Sequence, residues 1–162
     1  MRHHDVPSIG DARRLIPSPQ PADNTMDEQN LRSGAEAGVS RVLVIDDDAD
    51  LGRVIRRVLE LDGYDVVLSD DGLRGLAAAQ RQRPDAIVLD LMMPVMDGYQ
   101  VLAELRGDPR SKDVPVVVLS AVALDETRER VEAAGASMFL TKPFEPSHLS
   151  RALTSLIGGA EA

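Results

Sequence analysis

From Arg41 onward the chain alternates short apolar runs with longer amphipathic ones, five times in succession. Strands are expected at Val42 to Ile45, Asp65 to Leu68, Ala86 to Leu89, Val114 to Leu119 and Met138 to Leu140, each brief and rich in aliphatic or β-branched residues. Helical periodicity occupies Ala49 to Leu61, where Leu51, Ile55, Val58 and Leu59 share a stripe, then Leu73 to Arg81, Tyr99 to Leu105, Glu126 to Ala134 and Pro146 to Leu156. Strict β/α alternation leaves little freedom. Successive strands joined by helices run parallel, and right-handed crossovers place helices on both faces of one sheet. Runs apolar at every position, such as Val116-Val117-Val118-Leu119, suit strands buried on both sides.

The borders carry their own chemistry. Asp48, Asp71 and Asp125 can each accept bonds from the free N–H groups that open a helix, and Gly63 and Gly135 follow helices where a positive φ is often needed. The core must be aliphatic, because the 162 residues include two Phe, two Tyr and no Trp.

Four of the strand ends are acidic, hydroxylic or basic. Val42 to Ile45 runs into Asp46-Asp47-Asp48. Ala86 to Leu89 runs into Asp90, then breaks at Pro94 and Asp97-Gly98. The fourth run stops at Ser120 and the fifth at Lys142-Pro143. The carboxyl ends of parallel strands are where open α/β sheets bind ligands. Two carboxylates about 4 Å apart repel by roughly 4 kcal/mol at an effective dielectric near 20, so converging aspartates call for a cation among them. Acids, a hydroxyl and an ammonium together suit a divalent ion and a phosphoryl group.

This order of motifs, Asp46-Asp47, then Asp90 within Leu-Asp-Leu-Met-Met-Pro-Val-Met-Asp-Gly, then Ser120-Ala121, then Lys142-Pro143-Phe144, resembles the receiver domain of bacterial two-component response regulators over roughly Arg41 to Ile157. The resemblance implies a flavodoxin-like, doubly wound (βα)5 fold with a five-stranded parallel sheet ordered 2-1-3-4-5. It makes Asp90 the phosphoacceptor, taking a phosphoryl group from a sensor histidine kinase or a histidine phosphotransfer protein. Mg²⁺ would be held by Asp46, Asp47, Asp90 and the backbone carbonyl of Met92. Asp48 is left as a helix cap. Lys142, ahead of a cis proline bond, would contact a phosphoryl oxygen, and Ser120 would bond the same group. Ser120 and Phe139 would form the switch, with Phe139 standing where Tyr is commoner and so working by packing alone. Met92 and Val122 occupy the positions that are polar in receivers with fast self-hydrolysis, which implies a long-lived phosphoryl group.

The expected role is a signalling switch rather than an enzyme, acting on a downstream effector protein, with a phosphorylation-dependent homodimer through the fourth helix, fifth strand and fifth helix as a further expectation. A phosphorelay intermediate passing the group to another histidine is the alternative, followed by a non-phosphorylated interaction module. A haloacid-dehalogenase-like phosphatase fits poorly, since it needs a second Asp two residues after the nucleophile and Met92 stands there. No Gly-x-Gly-x-x-Gly follows the first strand, which disfavours a dinucleotide site.

Charge and composition narrow the partners. With 18 basic and 27 acidic residues the net charge is −9, so direct nucleic-acid binding is not expected. No run nears the roughly 20 apolar residues of a membrane span and no secretory h-region opens the chain, so a cytoplasmic protein with no membrane partner is expected. No cysteine means neither disulfides nor thiolate sites. Residues 1–38, with Pro7, Pro17, Pro19 and Pro21 and little apolar periodicity, read as a disordered extension before a receiver domain at 39–158. Residues 159–162 form a short tail, and no output domain is expected on the chain. His3, His4 and His148 lack any metal or phosphotransfer context.

Overall fold

The structure, a computed structural model, describes residues 38–159. Five strands alternate with five helices: β1 (Arg41–Ile45), α1 (Ala49–Leu61), β2 (Asp65–Ser69), α2 (Gly72–Gln82), β3 (Ala86–Asp90), α3 (Gly98–Gly107), β4 (Val116–Ser120), α4 (Asp125–Ala133), β5 (Met138–Thr141) and α5 (Pro146–Gly158). The strands form one parallel sheet in the order β2-β1-β3-β4-β5. Fold class and strand order are those implied by the sequence.

Successive side chains of a strand point to opposite faces, and the core divides accordingly. Leu43 and Ile45 of β1, Ile87 and Leu89 of β3 and Val116 and Val118 of β4 pack under α2, α3 and α4 through Ala79, Val101, Leu102, Leu105 and Val131. On the other face Val42, Val44, Val88, Val117 and Leu119 meet Ile55 and Leu59 of α1 and Leu149 and Leu153 of α5. Each fully buried Leu, Ile or Val contributes about 1.5–3 kcal/mol relative to exposure. All five residues of β3 and of β4 are buried, as the unbroken apolar runs required.

The borders differ from expectation in three instructive places. β4 begins at Val116, not Val114, because Pro115 has no N–H to enter the ladder and Val114 N–H bonds to Ser111 instead. Asp48 and Asp71 cap their helices through side-chain bonds, whereas Asp125 does not: Leu124 occupies the cap position without a side-chain bond, and Asp125 lies inside the first turn. There it interacts with the helix dipole rather than closing a turn. Asp97, read only as part of a turn, closes a reciprocal capping box with Gln100 that starts α3. Gly63 and Gly135 have φ of +92° and +103°, and the Lys142–Pro143 bond is cis. The extension expected over residues 1–38 and the tail expected at 159–162 lie, apart from Gly38 and Gly159, outside the described residues.

Candidate functional site

β1 and β3 are neighbours, so their carboxyl ends bring Asp46 and Asp90 together. Asp90 is the last residue of β3 and is 4% exposed. It is pressed from above by the loop that follows, where a Cβ on Gly98 would stand 2.6 Å from the Asp90 carbonyl oxygen. No larger residue fits there. Asp46 follows β1, is equally buried, and its N–H donates to Ser69 at 3.1 Å, which ties it to the end of β2.

The ammonium of Lys142 lies 3.0 Å from Asp46 Oδ2 and 3.2 Å from Asp90 Oδ1. Asp46 Oδ1 accepts from the Asp48 N–H at 2.9 Å, and Asp90 Oδ1 accepts from the Met92 N–H at 3.3 Å. Asp47 is exposed, yet one oxygen from each of Asp46, Asp47 and Asp90 lies within 4.8 Å of the others. Three carboxylates therefore face one ammonium.

That imbalance is felt most at Asp90. Burial and the charge of Asp46 push its carboxyl up to about 6, against the opposing pull of Lys142 and the Met92 N–H. Burial alone would lower Lys142, but its hydrogen bond to Asp46 and the charges of Asp46 and Asp90 outweigh that and raise it. Hard oxygens with excess negative charge fit a divalent cation, which is the ligand the residues lack a counter-charge for. Of Met92, the N–H is the group engaged with Asp90, and the residue is 64% exposed.

Ser120 ends β4 with no exposed surface, in register with Thr141 of β5. Its Oγ accepts from the Val122 N–H at 3.0 Å, and its carbonyl accepts from the Lys142 N–H at 2.8 Å. The hydroxyl and the lysine are thus fastened to each other through the backbone. Phe139, 5% exposed, sits opposite Val118. The guanidinium of Arg128 covers its ring at 5.2 Å from the centroid, a partner that no spacing rule in the sequence pointed to. Of the residues assigned to the pocket from the sequence, Asp46, Asp47, Asp90, Ser120 and Lys142 come from the carboxyl edge of β1, β3, β4 or β5, and Met92 lies in the loop after β3. Phe139 lies one turn of the pleat away on β5. Among the described residues, no helix is long and apolar enough to cross a membrane.

Comparison with known proteins agrees with this geometry. Residues 42–154 match the family model described as the response regulator receiver domain. The transcriptional regulatory protein PrrA of Mycobacterium tuberculosis is 44% identical over 117 residues, which are 72% of this chain and 49% of that protein. The chain spans about half the length of the curated relatives it matches. Among solved structures, the chemotaxis protein CheY4 of Vibrio cholerae is 32% identical with a TM-score of 0.70, covering 74% of this chain and 99% of that one. The receiver domain of the sensor histidine kinase PA1611 of Pseudomonas aeruginosa PAO1, described with a magnesium ion coordinated in its active site cleft, is 37% identical with a TM-score of 0.69, over 75% and 99% of the two chains.

Proposed function

Because this chain belongs to the response regulator receiver domain family, a module of two-component signalling, we propose that its residues 39–158 accept a phosphoryl group on Asp90 and pass the event to a partner-binding surface. The observation that carries this reading is the convergence of Asp46, Asp47 and Asp90 on Lys142 at the carboxyl edge of the sheet.

Asp90 is the nucleophile. One carboxylate oxygen forms a bond to phosphorus while the bond from phosphorus to the donor's imidazole nitrogen breaks, and the imidazole keeps the electron pair. Asp90 must be ionised for this, which the nearby ammonium favours and burial opposes. Asp46, Asp47, Asp90 and the Met92 carbonyl would hold Mg²⁺, which would supply positive charge beside the phosphoryl oxygens. Lys142 supplies a second positive centre to those oxygens, and the Ser120 hydroxyl donates a hydrogen bond. The product is an acyl phosphate on Asp90.

The donor is a histidine kinase or a histidine phosphotransfer protein, and the receiver of the signal is a downstream effector protein. The face formed by α4, β5 and α5 is the surface we assign to that output, including a phosphorylation-dependent homodimer. Function in the cytoplasm, without membrane or direct nucleic-acid contact through the 39–158 unit, accords with its acidity. Slow output or a place as relay intermediate is favoured over rapid motility control by one feature: the side chains of Met92 and Val122 present no group that could orient an attacking water. The decisive test is incubation with acetyl phosphate and Mg²⁺ followed by intact-mass analysis. One added phosphoryl group, absent in Asp90→Asn, is the expected result, and an adduct persisting in Asp90→Asn overturns the assignment.

A further inference from the structure

α4 is an unusual helix for this sheet. Four of its nine residues, Asp125, Glu126, Glu129 and Glu132, are acidic, and Val131 is its one buried residue. A single valine supplies little of the apolar burial that ordinarily holds a helix to a sheet. The two ends differ as well. At the carboxyl end Gly135 turns at φ +103°, and its carbonyl accepts two bonds from Arg106, at 3.0 and 2.8 Å. At the amino end Leu124 offers no side-chain cap and is 62% exposed.

Ala134 and Ala136 pack on the core at its carboxyl end, and further hold comes from two arginines. Arg128 covers Phe139 of β5 at 5.2 Å, and Arg130 covers Tyr99 of α3 at 4.0 Å, both inside the range of a cation–π contact. At about 100° per residue, Val131 falls on the arc between them, so the buried valine faces the sheet with one guanidinium reaching down on each flank. Helical spacing offers both arginines carboxylate partners, Asp125 and Glu132 for Arg128 and Glu126 for Arg130. Among the described residues neither guanidinium has a carboxylate within ion-pair distance. The rings are chosen over the acids.

We infer that Arg128 and Arg130 form a bracket that sets the position of α4 against β5, and that Arg128 is the positioning residue through which Phe139 and α4 are coupled. Val122 N–H is bonded to Ser120 Oγ, so the loop from Ala121 to Leu124 follows that hydroxyl and delivers any displacement to the uncapped end of α4. The bracket resists that displacement on the β5 side, while Arg106 keeps the carboxyl end in place. Arg128 thereby sets how much of the binding energy of a phosphoryl group at Asp90 is spent on moving α4. This last step rests on the phosphoacceptor reading above; the bracket itself does not.

The test has two arms on the full chain, with Arg128→Gln removing the charge and Arg128→Lys keeping it. In the first arm, amide hydrogen exchange without any ligand should quicken about two- to fivefold in the first turns of α4 in Arg128→Gln, and return toward the parent rate in Arg128→Lys. That range corresponds to roughly 0.5–1 kcal/mol for an exposed cation–π contact. Equal rates in parent and Gln variant, equal rates in the Gln and Lys variants, or a rise spread equally over α1 and α5 each overturn the bracket. In the second arm, beryllofluoride with Mg²⁺ serves as the phosphoryl mimic, titrated by amide NMR. Arg128→Gln should bind it about two- to fivefold more tightly, and unchanged or weaker binding overturns the coupling. A parent chain that takes no beryllofluoride sinks the phosphoacceptor reading instead, and the exchange arm then decides the bracket alone.

Discussion

Lys142 and Asp90 meet at 3.2 Å although β4 lies between the strands that carry them. The long lysine side chain spans that strand and reaches Asp46 on β1 as well, at 3.0 Å. One ammonium therefore adjusts the two buried acids at once.

Removing it should shift the titration of Asp90. Asp90 is pushed up to about 6, and Lys142, with the Met92 N–H, holds it from rising further. In Lys142→Met the pH at which acetyl phosphate labelling reaches half its maximum should move upward, and the rate at pH 7 should fall. A pH–rate profile of labelling checks this, and a midpoint that stays in place would mean that Lys142 does not tune the nucleophile.

Stability of the metal-free protein should depend on pH through the same group. The folded-state value of Asp90 is raised above the ordinary 3.8, so its contribution is fully present below pH 4 and lost as pH rises through about 6. A rise of that size corresponds to at most about 3 kcal/mol. With chelator present, Asp90→Asn should accordingly be more stable than the parent at pH 7.5, by up to that amount, and equal to it near pH 4. Mg²⁺ should narrow the gap by binding the folded parent. Urea unfolding at the two pH values measures the difference.

Mg²⁺ affinity should fall most in Asp47→Ala. Both oxygens of Asp46 are already engaged, with the Asp48 N–H and with Lys142, whereas the exposed Asp47 carboxylate is available to a cation. Loss of partners that merely orient a ligand costs about 10–100-fold in metal affinity, so loss of a ligand should cost at least as much. Asp46→Ala should rank second. Calorimetric titration with Mg²⁺ distinguishes them, and unchanged affinity in Asp47→Ala would move the site elsewhere.

The phosphorylated state should be long-lived. Hydrolysis of an acyl phosphate needs a water held in line with phosphorus, and the exposed Met92 and Val122 have no group able to hold it. Loss of phosphoryl from Met92→Asn combined with Val122→Glu should be about tenfold faster or more. If the parent hydrolyses as fast as that variant, these two side chains do not set the lifetime and the preference for a relay or slow output goes with them.

Much of this protein was legible in one dimension because its determinants are periodic or local. Alternating runs specify a parallel sheet, and a carboxylate at the end of an apolar run lands at the sheet's carboxyl edge whatever the details of packing. Asp46, Asp47, Asp90, Ser120 and Lys142 are placed by that rule. Local backbone preferences likewise suffice for the Asp48 and Asp71 caps and for the turns at Gly63 and Gly135. The Asp97 to Gln100 box was missed, although both partners lie within four residues and its signal is local.

The tertiary structure alone decided which acid is strained, which is free, and what holds α4. Desolvation and charge sum over neighbours from β1, β3 and β5, so the rise at Asp90 has no signature in its own segment. The choice of Phe139 and Tyr99 by Arg128 and Arg130 is equally hidden: helical spacing favours their acidic neighbours, and only the placement of α4 beside β5 and α3 brings the rings within reach. The chain by itself determined the sheet and the residues at its carboxyl edge, because those follow from local pattern. The folded molecule determined the balance of charge and the contacts of α4, because both are sums over residues far apart in sequence.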